Sequence, residues 1–225
     1  MARIIKIFRG LIFLTAFLTA PVFGADQKIL FTENFEKPLG ERWKQVKFGE
    51  LTDYRIVTEN SNACLKASAN STASAFATKV EIQPASDMVI RWRWKISSCP
   101  TNGSEDKLAT FDHTARIFVA FDTFIGPPRT INYVWANQLG TNSVFDHPSS
   151  SRSKFIVLES GNDKAGQWLV EQRDLKKDWQ RLFKNDTVPK IVGVGVFTDS
   201  DGTKSSVTGW YDDIVIEGAS AAQGR

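Results

Sequence analysis

The chain has 225 residues, with 28 lysines and arginines against 25 aspartates and glutamates, a net charge of +3. So even a balance argues against a nucleic-acid surface, which needs clustered positive charge, and the length bounds one domain with a substantial core. Two histidines and two cysteines, scattered singly, give no ligand-pair spacing for zinc.

The N-terminus reads as a leader. Arg3, Lys6 and Arg9 precede an uncharged, largely apolar run from Leu11 to Ala20, and the next charge is Asp26. A basic segment, a short apolar segment and then small residues is the order of a secretory signal. Val22 and Gly24 occupy the minus-three and minus-one positions of a cut before Ala25. The run falls short of the roughly 20 residues a membrane-spanning helix needs. Loss of residues 1–24 removes three basic residues and no acid, leaving 25 of each sign. The expected product is a periplasmic or secreted single domain, 25–225, with no transmembrane segment and no electrostatic case for nucleic acid.

Period-two patterns dominate from there. In Met88–Ile96 the even positions Ile90, Trp92, Trp94 and Ile96 are apolar and the odd positions Arg91, Arg93 and Lys95 are cationic, the mark of a strand with one buried face. Similar strands are expected at 28–35, 53–58, 63–68, 74–82, 115–124, 130–137, 154–160, 166–173, 190–198 and 207–217. Turn-rich stretches such as Lys37-Pro-Leu-Gly40, Gly126-Pro-Pro128 and Asp199-Ser-Asp-Gly202 separate them. One segment changes period: Leu175, Trp179, Leu182 and Phe183 fall at helical spacing behind Asp174, a candidate N-cap. About ten strands with one short helix imply an all-β antiparallel sandwich. The longest irregular stretches, 98–112 and 138–153, are the expected carriers of binding.

Chemistry is sparser. No G-x-S-x-G occurs, and Ser151-Arg-Ser-Lys154 matches S-x-x-K without the helix that pattern requires. Glycoside hydrolysis needs two carboxylates roughly 5–10 Å apart, and Asp213 and Glu217 share a strand face at i and i+4. Cross-strand ion pairing is the competing fate of such residues. Asp199, Asp201 and Thr203 begin like a calcium loop, but Lys204 and Trp210 stand where an EF-hand needs Gly and Glu. Either the aspartates cap a hairpin in which Gly202 supplies a positive φ, or they bind calcium with help from Asp212. Tyr133, Trp135 and Asn137 alternate with Asn132, Val134 and Ala136, and such a row offers a sugar both a ring platform and an amide. Core packing is the alternative for Trp135. Cys64 and Cys99, in an oxidising compartment, are either bridged or two buried thiols.

Several of these segments together resemble a bacterial exported family known only as domain of unknown function 3047. They are Trp92-Arg-Trp-Lys95, Asp112–Phe121, Ile131–Trp135, Gly166–Arg173, Asp178-Trp179 with Phe183, and Asp199–Thr203 through Tyr211–Ile214. The likeness spans about residues 30–217 and implies a jelly-roll sandwich similar to lectin and glucanase domains, exported, with no assigned activity. Asp112-His113 departs from the family's paired aspartates. Gly202 stands where the family has an asparagine, which removes one oxygen ligand from the calcium reading.

Three functions remain open. One is a glycan-binding jelly roll with Arg116, Asn132, Tyr133, Glu171 and Arg173 as ligand contacts. Here Arg116, Glu171 and Arg173 would face one cleft, with Trp168 and Val170 turned into the core. Another is a glycan-cleaving hydrolase or lyase using Glu171 or Asp213, with support from Arg116, Arg173 or His147; the last is an envelope scaffold. The leader reading is checked by mass spectrometry of the exported protein: the expected N-terminus is Ala25, and an exported chain retaining Met1 overturns it.

Overall fold

The computed structural model describes residues 27–85 and 87–219; the leader expected at 1–24 lies outside them. Thirteen strands are described: β1 (Gln27–Glu33), β2 (Trp43–Lys47), β3 (Asp53–Glu59), β4 (Asn62–Asn70), β5 (Ala73–Ile82), β6 (Val89–Ile96), β7 (Arg116–Phe121), β8 (Arg129–Ala136), β9 (Val144–His147), β10 (Ser150–Ser160), β11 (Leu169–Asp174), β12 (Ile191–Asp199) and β13 (Ser206–Ala219). One helix, α1 (Leu175–Phe183), follows β11.

The strands form two sheets packed face to face in a jelly-roll sandwich. Sheet A runs β11-β6-β13-β4-β3, with β1 also on β13, and sheet B runs β2-β5-β12-β7-β8-β10-β9. The chain crosses between sheets at β4–β5, β5–β6, β6–β7 and β12–β13, among other places, and β12 and β13 lie centrally in opposite sheets, between β5 and β7 and between β4 and β6. All pairings are antiparallel except β8 with β10.

Alternation sets the core. Ile90, Trp92, Trp94 and Ile96 of β6 are at most 1% exposed, as their spacing requires. Across the gap they meet β8, with Trp92 against Tyr133 at 5.2 Å and Trp94 against Trp135 at 6.0 Å between ring centroids. Tyr133 is therefore a core residue, fully buried, and not a ligand contact.

Helix α1 forms where expected. Asp174 accepts a hydrogen bond from the Lys177 amide at 2.9 Å, and Lys184 ends the helix in the left-handed region. Leu175, Trp179 and Leu182 face inward, with Trp179 against Phe121 at 4.8 Å.

Two strands carry too weak a pattern to be anticipated. Only Trp43 of the edge strand β2 is buried, and β9 is a four-residue edge strand within the stretch expected to be irregular. A third difference concerns β11. Leu169, Glu171 and Arg173 do share a face, but they pair in register with Trp94, Trp92 and Ile90 and so point to the inner side. Val170 is 75% exposed. The reason is at the edge of sheet A, where α1 covers the inner side and supplies a partner. Asp178 of α1 is buried, accepts two hydrogen bonds from the Arg173 guanidinium and takes the Tyr133 hydroxyl at 2.9 Å.

Both cysteines are free thiols. Cys64 neighbours the inward Leu65 on β4 and so faces the outer side of sheet A. Cys99, beyond β6, directs its Sγ to the carbonyls of Ala136 and Gly161. The expected bridge is not formed because the two side chains serve different surroundings. Burial pushes each thiol up to about 11.

Removing Arg173 strands the buried Asp178 carboxylate. Arg173→Ala should therefore cost about 3–5 kcal/mol, measured by chemical denaturation. A cost below about 1 kcal/mol, the range of an exposed pair, overturns this role.

Candidate functional site

Outer residues of sheet B line an open cleft of about 560 Å³. Its floor comes from alternation on four neighbouring strands: Ala73 and Ala75 of β5, Phe197 and Asp199 of β12, Arg116 and Phe118 of β7, Thr130 and Asn132 of β8. Small side chains on β5 leave the space. The walls come from the two long loops, through Ala109 and Asp112 on one side and His147 and Ser149 on the other.

Arg116 is the central group. Its side chain is 8% exposed, and its Nη2 donates to Asp199 Oδ2 at 2.9 Å. The guanidinium lies over the Phe197 ring at 4.2 Å and the Phe155 ring at 5.4 Å, within reach of a cation–π attraction. Its Nε has no partner among the described residues. Asp199 Oδ1 accepts from the His113 amide at 2.8 Å. Burial pushes the Asp199 carboxyl up to about 7 against the pull of Arg116.

The turn after β12 closes one end. Asp112 accepts the amides of Gly202 and Thr203 at 3.3 and 2.6 Å. Burial, followed by the Asp112 charge, raises Asp201 above the ordinary carboxylate range. Gly202 does not use a positive φ; a Cβ there would lie 2.5 Å from the Ala109 carbonyl oxygen, so glycine is required by close approach. Lys204 takes the left-handed conformation instead. The segment is not a hairpin: it carries the chain from sheet B to sheet A.

That crossover corrects the calcium reading. Asp199 ends β12 in sheet B, whereas Asp212 lies on β13 in sheet A, paired with Arg93 and accepting from Asn62 Nδ2 at 2.7 Å. Both oxygens of Asp199 are engaged, while Thr203 Oγ1 is buried without a partner among the described residues. No group of three or more His, Cys, Asp or Glu is arranged to hold a metal ion among the described residues.

Of the expected ligand contacts, Arg116 and Asn132 reach the cleft. Asn132 is held by Nδ2 hydrogen bonds to Thr130 Oγ1 at 3.0 Å and the Lys154 carbonyl at 3.2 Å. Tyr133 is core, and Glu171 and Arg173 belong to sheet A. Glu171 accepts from Trp94 Nε1 at 3.3 Å, and burial pushes it up to about 7. Asp213 sits at a bulge with φ +51 and pairs with Arg93 at 3.0 Å, and Glu217 pairs with Arg91. Both are cross-strand ion pairs on the outer side of sheet A.

Sequence reasoning missed Phe48, Asp112 and Phe197 as cleft residues. Phe48 is 68% exposed, with its ring 5.1 Å from Phe197. Its signal was an unpaired aromatic in a polar stretch. His147 was named only in support of catalysis. Its ring meets Phe111 edge-on at 4.8 Å, and Nδ1 accepts from the Ser149 amide at 3.2 Å. Burial and the Arg116 charge lower it below the ordinary histidine range.

A two-sheet sandwich with a cleft on one outer face is the class of protein that fold and site define. Its sequence matches the family described as protein of unknown function DUF3047 over residues 41–215, and the chain belongs to that family. No curated protein matches it. Similar solved structures include the family 11 carbohydrate-binding module from Clostridium thermocellum in complex with a β-1,3-1,4-mixed-linked tetrasaccharide, at 14% identity and TM-score 0.43, covering 86% of this chain and 96% of that one. Another is the cellulose-induced protein Cip1, at 14% identity and TM-score 0.48, covering 83% and 96%. A third is the module TmCBM61 in complex with β-1,4-galactotriose, at 11% identity and TM-score 0.39, covering 82% and 97%. These likenesses are distant, and the saccharides belong to those proteins.

The Glu171 carboxyl gives a pH test. Its folded value of about 7 lies above the ordinary 4.5, so between those limits the folded chain retains a proton that the unfolded chain releases. Stability from this group is full below about 4.5 and is lost as pH rises towards 7. Glu171→Gln should flatten that fall in unfolding free energy between pH 5 and 8. An unchanged pH profile overturns the assignment.

Proposed function

We propose that this protein is an exported glycan-binding module that holds a neutral, hydroxyl-rich saccharide in the sheet B cleft without cleaving it. The single observation behind the reading is the mixture of surfaces converging there. Phe48, Phe118 and Phe197 line the cleft beside the Asn132 amide and the hydroxyl residues Thr130, Ser150 and Ser153. A pyranose presents an apolar C–H face and a rim of hydroxyls, and binding it needs both kinds of partner within one concave site. The volume of about 560 Å³ suits a short oligosaccharide.

Charge selects among saccharides. The cleft carries Asp112, Asp199 and Asp201 against Arg116, and its histidine, His147, is shifted towards the neutral form. A uronate would add a further negative charge to that set, so a neutral sugar fits better. Turnover needs a free acid and base flanking one bond. Asp112 and Asp199 instead spend their oxygens on backbone amides and Arg116. Export rests on the leader pattern of residues 1–24.

Titration calorimetry after a glycan-panel screen tests the reading. Asn132→Ala and Phe48→Ala should each weaken the best neutral ligand about tenfold, the worth of one hydrogen bond or one ring contact. The Phe48 variant should keep its unfolding midpoint, since that ring is largely exposed. Absence of binding across the panel overturns the reading in favour of the scaffold. Release of reducing ends or unsaturated products overturns it in favour of a glycan-cleaving enzyme centred on Asp199 and Asp201.

A further inference from the structure

We propose that the tip of the β7–β8 hairpin, residues 122–128, is a membrane-docking finger that places Phe124 and Ile125 in the headgroup region of an anionic lipid surface. Phe124 is 102% exposed and Ile125 75% exposed. Two adjacent large apolar side chains held in water at a hairpin tip are a standing cost that a core could have absorbed.

The carbonyls of the tip are bonded from within. The Thr123 hydroxyl lies 3.4, 3.0 and 3.2 Å from the carbonyl oxygens of Ile125, Gly126 and Pro127, within donating reach of each. Arg152 donates to the carbonyls of Pro127 at 3.0 Å and Ile125 at 3.4 Å. The Thr123 amide donates to Asp122 Oδ1 at 2.9 Å, and Pro127 and Pro128 have no N–H. Entry into an apolar phase requires backbone polar groups to be satisfied from within; these three carbonyls are, whereas the amides of Phe124, Ile125 and Gly126 have no partner among the described residues, which keeps the tip at the level of the headgroups and their water.

Charge completes the fit. Arg152 and Arg129 stand at the base of the tip, and neither is in an ion pair among the described residues. Arg129 rests on the Phe183 ring at 5.3 Å and Arg152 on backbone carbonyls. Asp122 lines the same region as the carboxylate of the tip. Guanidinium groups below an apolar point match lipid phosphates above acyl chains. A protein partner fits less well, because two side chains on a hairpin tip fall far short of the roughly 1,200 Å² of a stable interface. Docking of this kind is weak and reversible. It also leaves the saccharide cleft open, since the length of β7 separates the tip from Arg116 by about 17 Å.

Vesicle co-sedimentation of the chain from Ala25 onward, which contains every described strand and lacks the apolar run at 11–20, tests the proposal. The parent chain should sediment with phosphatidylglycerol–phosphatidylethanolamine vesicles and less with pure phosphatidylcholine. Phe124→Ser with Ile125→Ser should lower the partition coefficient at least about tenfold with no loss of thermal midpoint. Arg129→Gln, or raised salt, should weaken binding to the anionic vesicles several-fold. The proposal falls if the parent does not sediment with either vesicle or if the doubly substituted chain binds as well as the parent. It falls equally if sedimentation velocity without lipid shows a dimer that depends on Phe124.

Discussion

The two sheets are joined by a seam of rings, with Trp92 facing Tyr133 and Trp94 facing Trp135. Each such pair is worth about 0.5–1.5 kcal/mol beyond the area it buries. Its larger consequence is directional. Because side chains alternate along a strand, fixing these four inward also fixes their neighbours outward. Arg93 and Lys95 of β6 are thereby committed to the outer side of sheet A, and Asn132 of β8 to the outer side of sheet B. The seam therefore decides which polar groups can meet a ligand.

The outer faces have opposite characters. On sheet A, Lys95 lies 5.2 Å from the Trp168 ring and 4.2 Å from the Trp210 ring, and Arg93 covers Trp168 at 4.8 Å. Arg91, Arg93 and Lys95 are all paired with carboxylates. That surface satisfies itself, cation on ring and cation on carboxylate. On sheet B, small residues on β5 and the spread of the long loops leave a hollow lined by rings, hydroxyls and an amide.

Two arginines, Arg116 buried and Arg173 half-buried, do related work in different places. Arg173 ties β11 to α1 through Asp178, with Tyr133 completing the contact from sheet B. Arg116 ties β7 to the end of β12 through Asp199. A buried ion pair adds little net stability when complete and costs much when broken. Each therefore acts as a positional constraint: one holds the helix against the edge of the sandwich, and the other holds the floor of the cleft.

Strong local periodicity was legible in the sequence. The alternation of Met88–Ile96 and the helical spacing behind Asp174 gave those elements almost to the residue, because inward and outward positions there differ sharply in polarity. The weak edge strands β2 and β9 were not legible, since an edge strand with one buried residue has no contrast to read. On β11 the period was right and the side was wrong. A strand carrying Trp168 and Val170 opposite Glu171 and Arg173 reads as aromatic-in, yet Asp178 and the Trp94 indole receive the charged side inside the sandwich. Asp199 and Asp212 are thirteen residues apart in the chain yet lie in opposite sheets, because the turn between them crosses the sandwich. The sequence by itself determined the class of fold, the identity of the core strands and the long stretches that line the cleft. Only the tertiary structure decided which sheet holds the cleft and which charges meet in it, since strand order is set by contacts between segments distant in the chain.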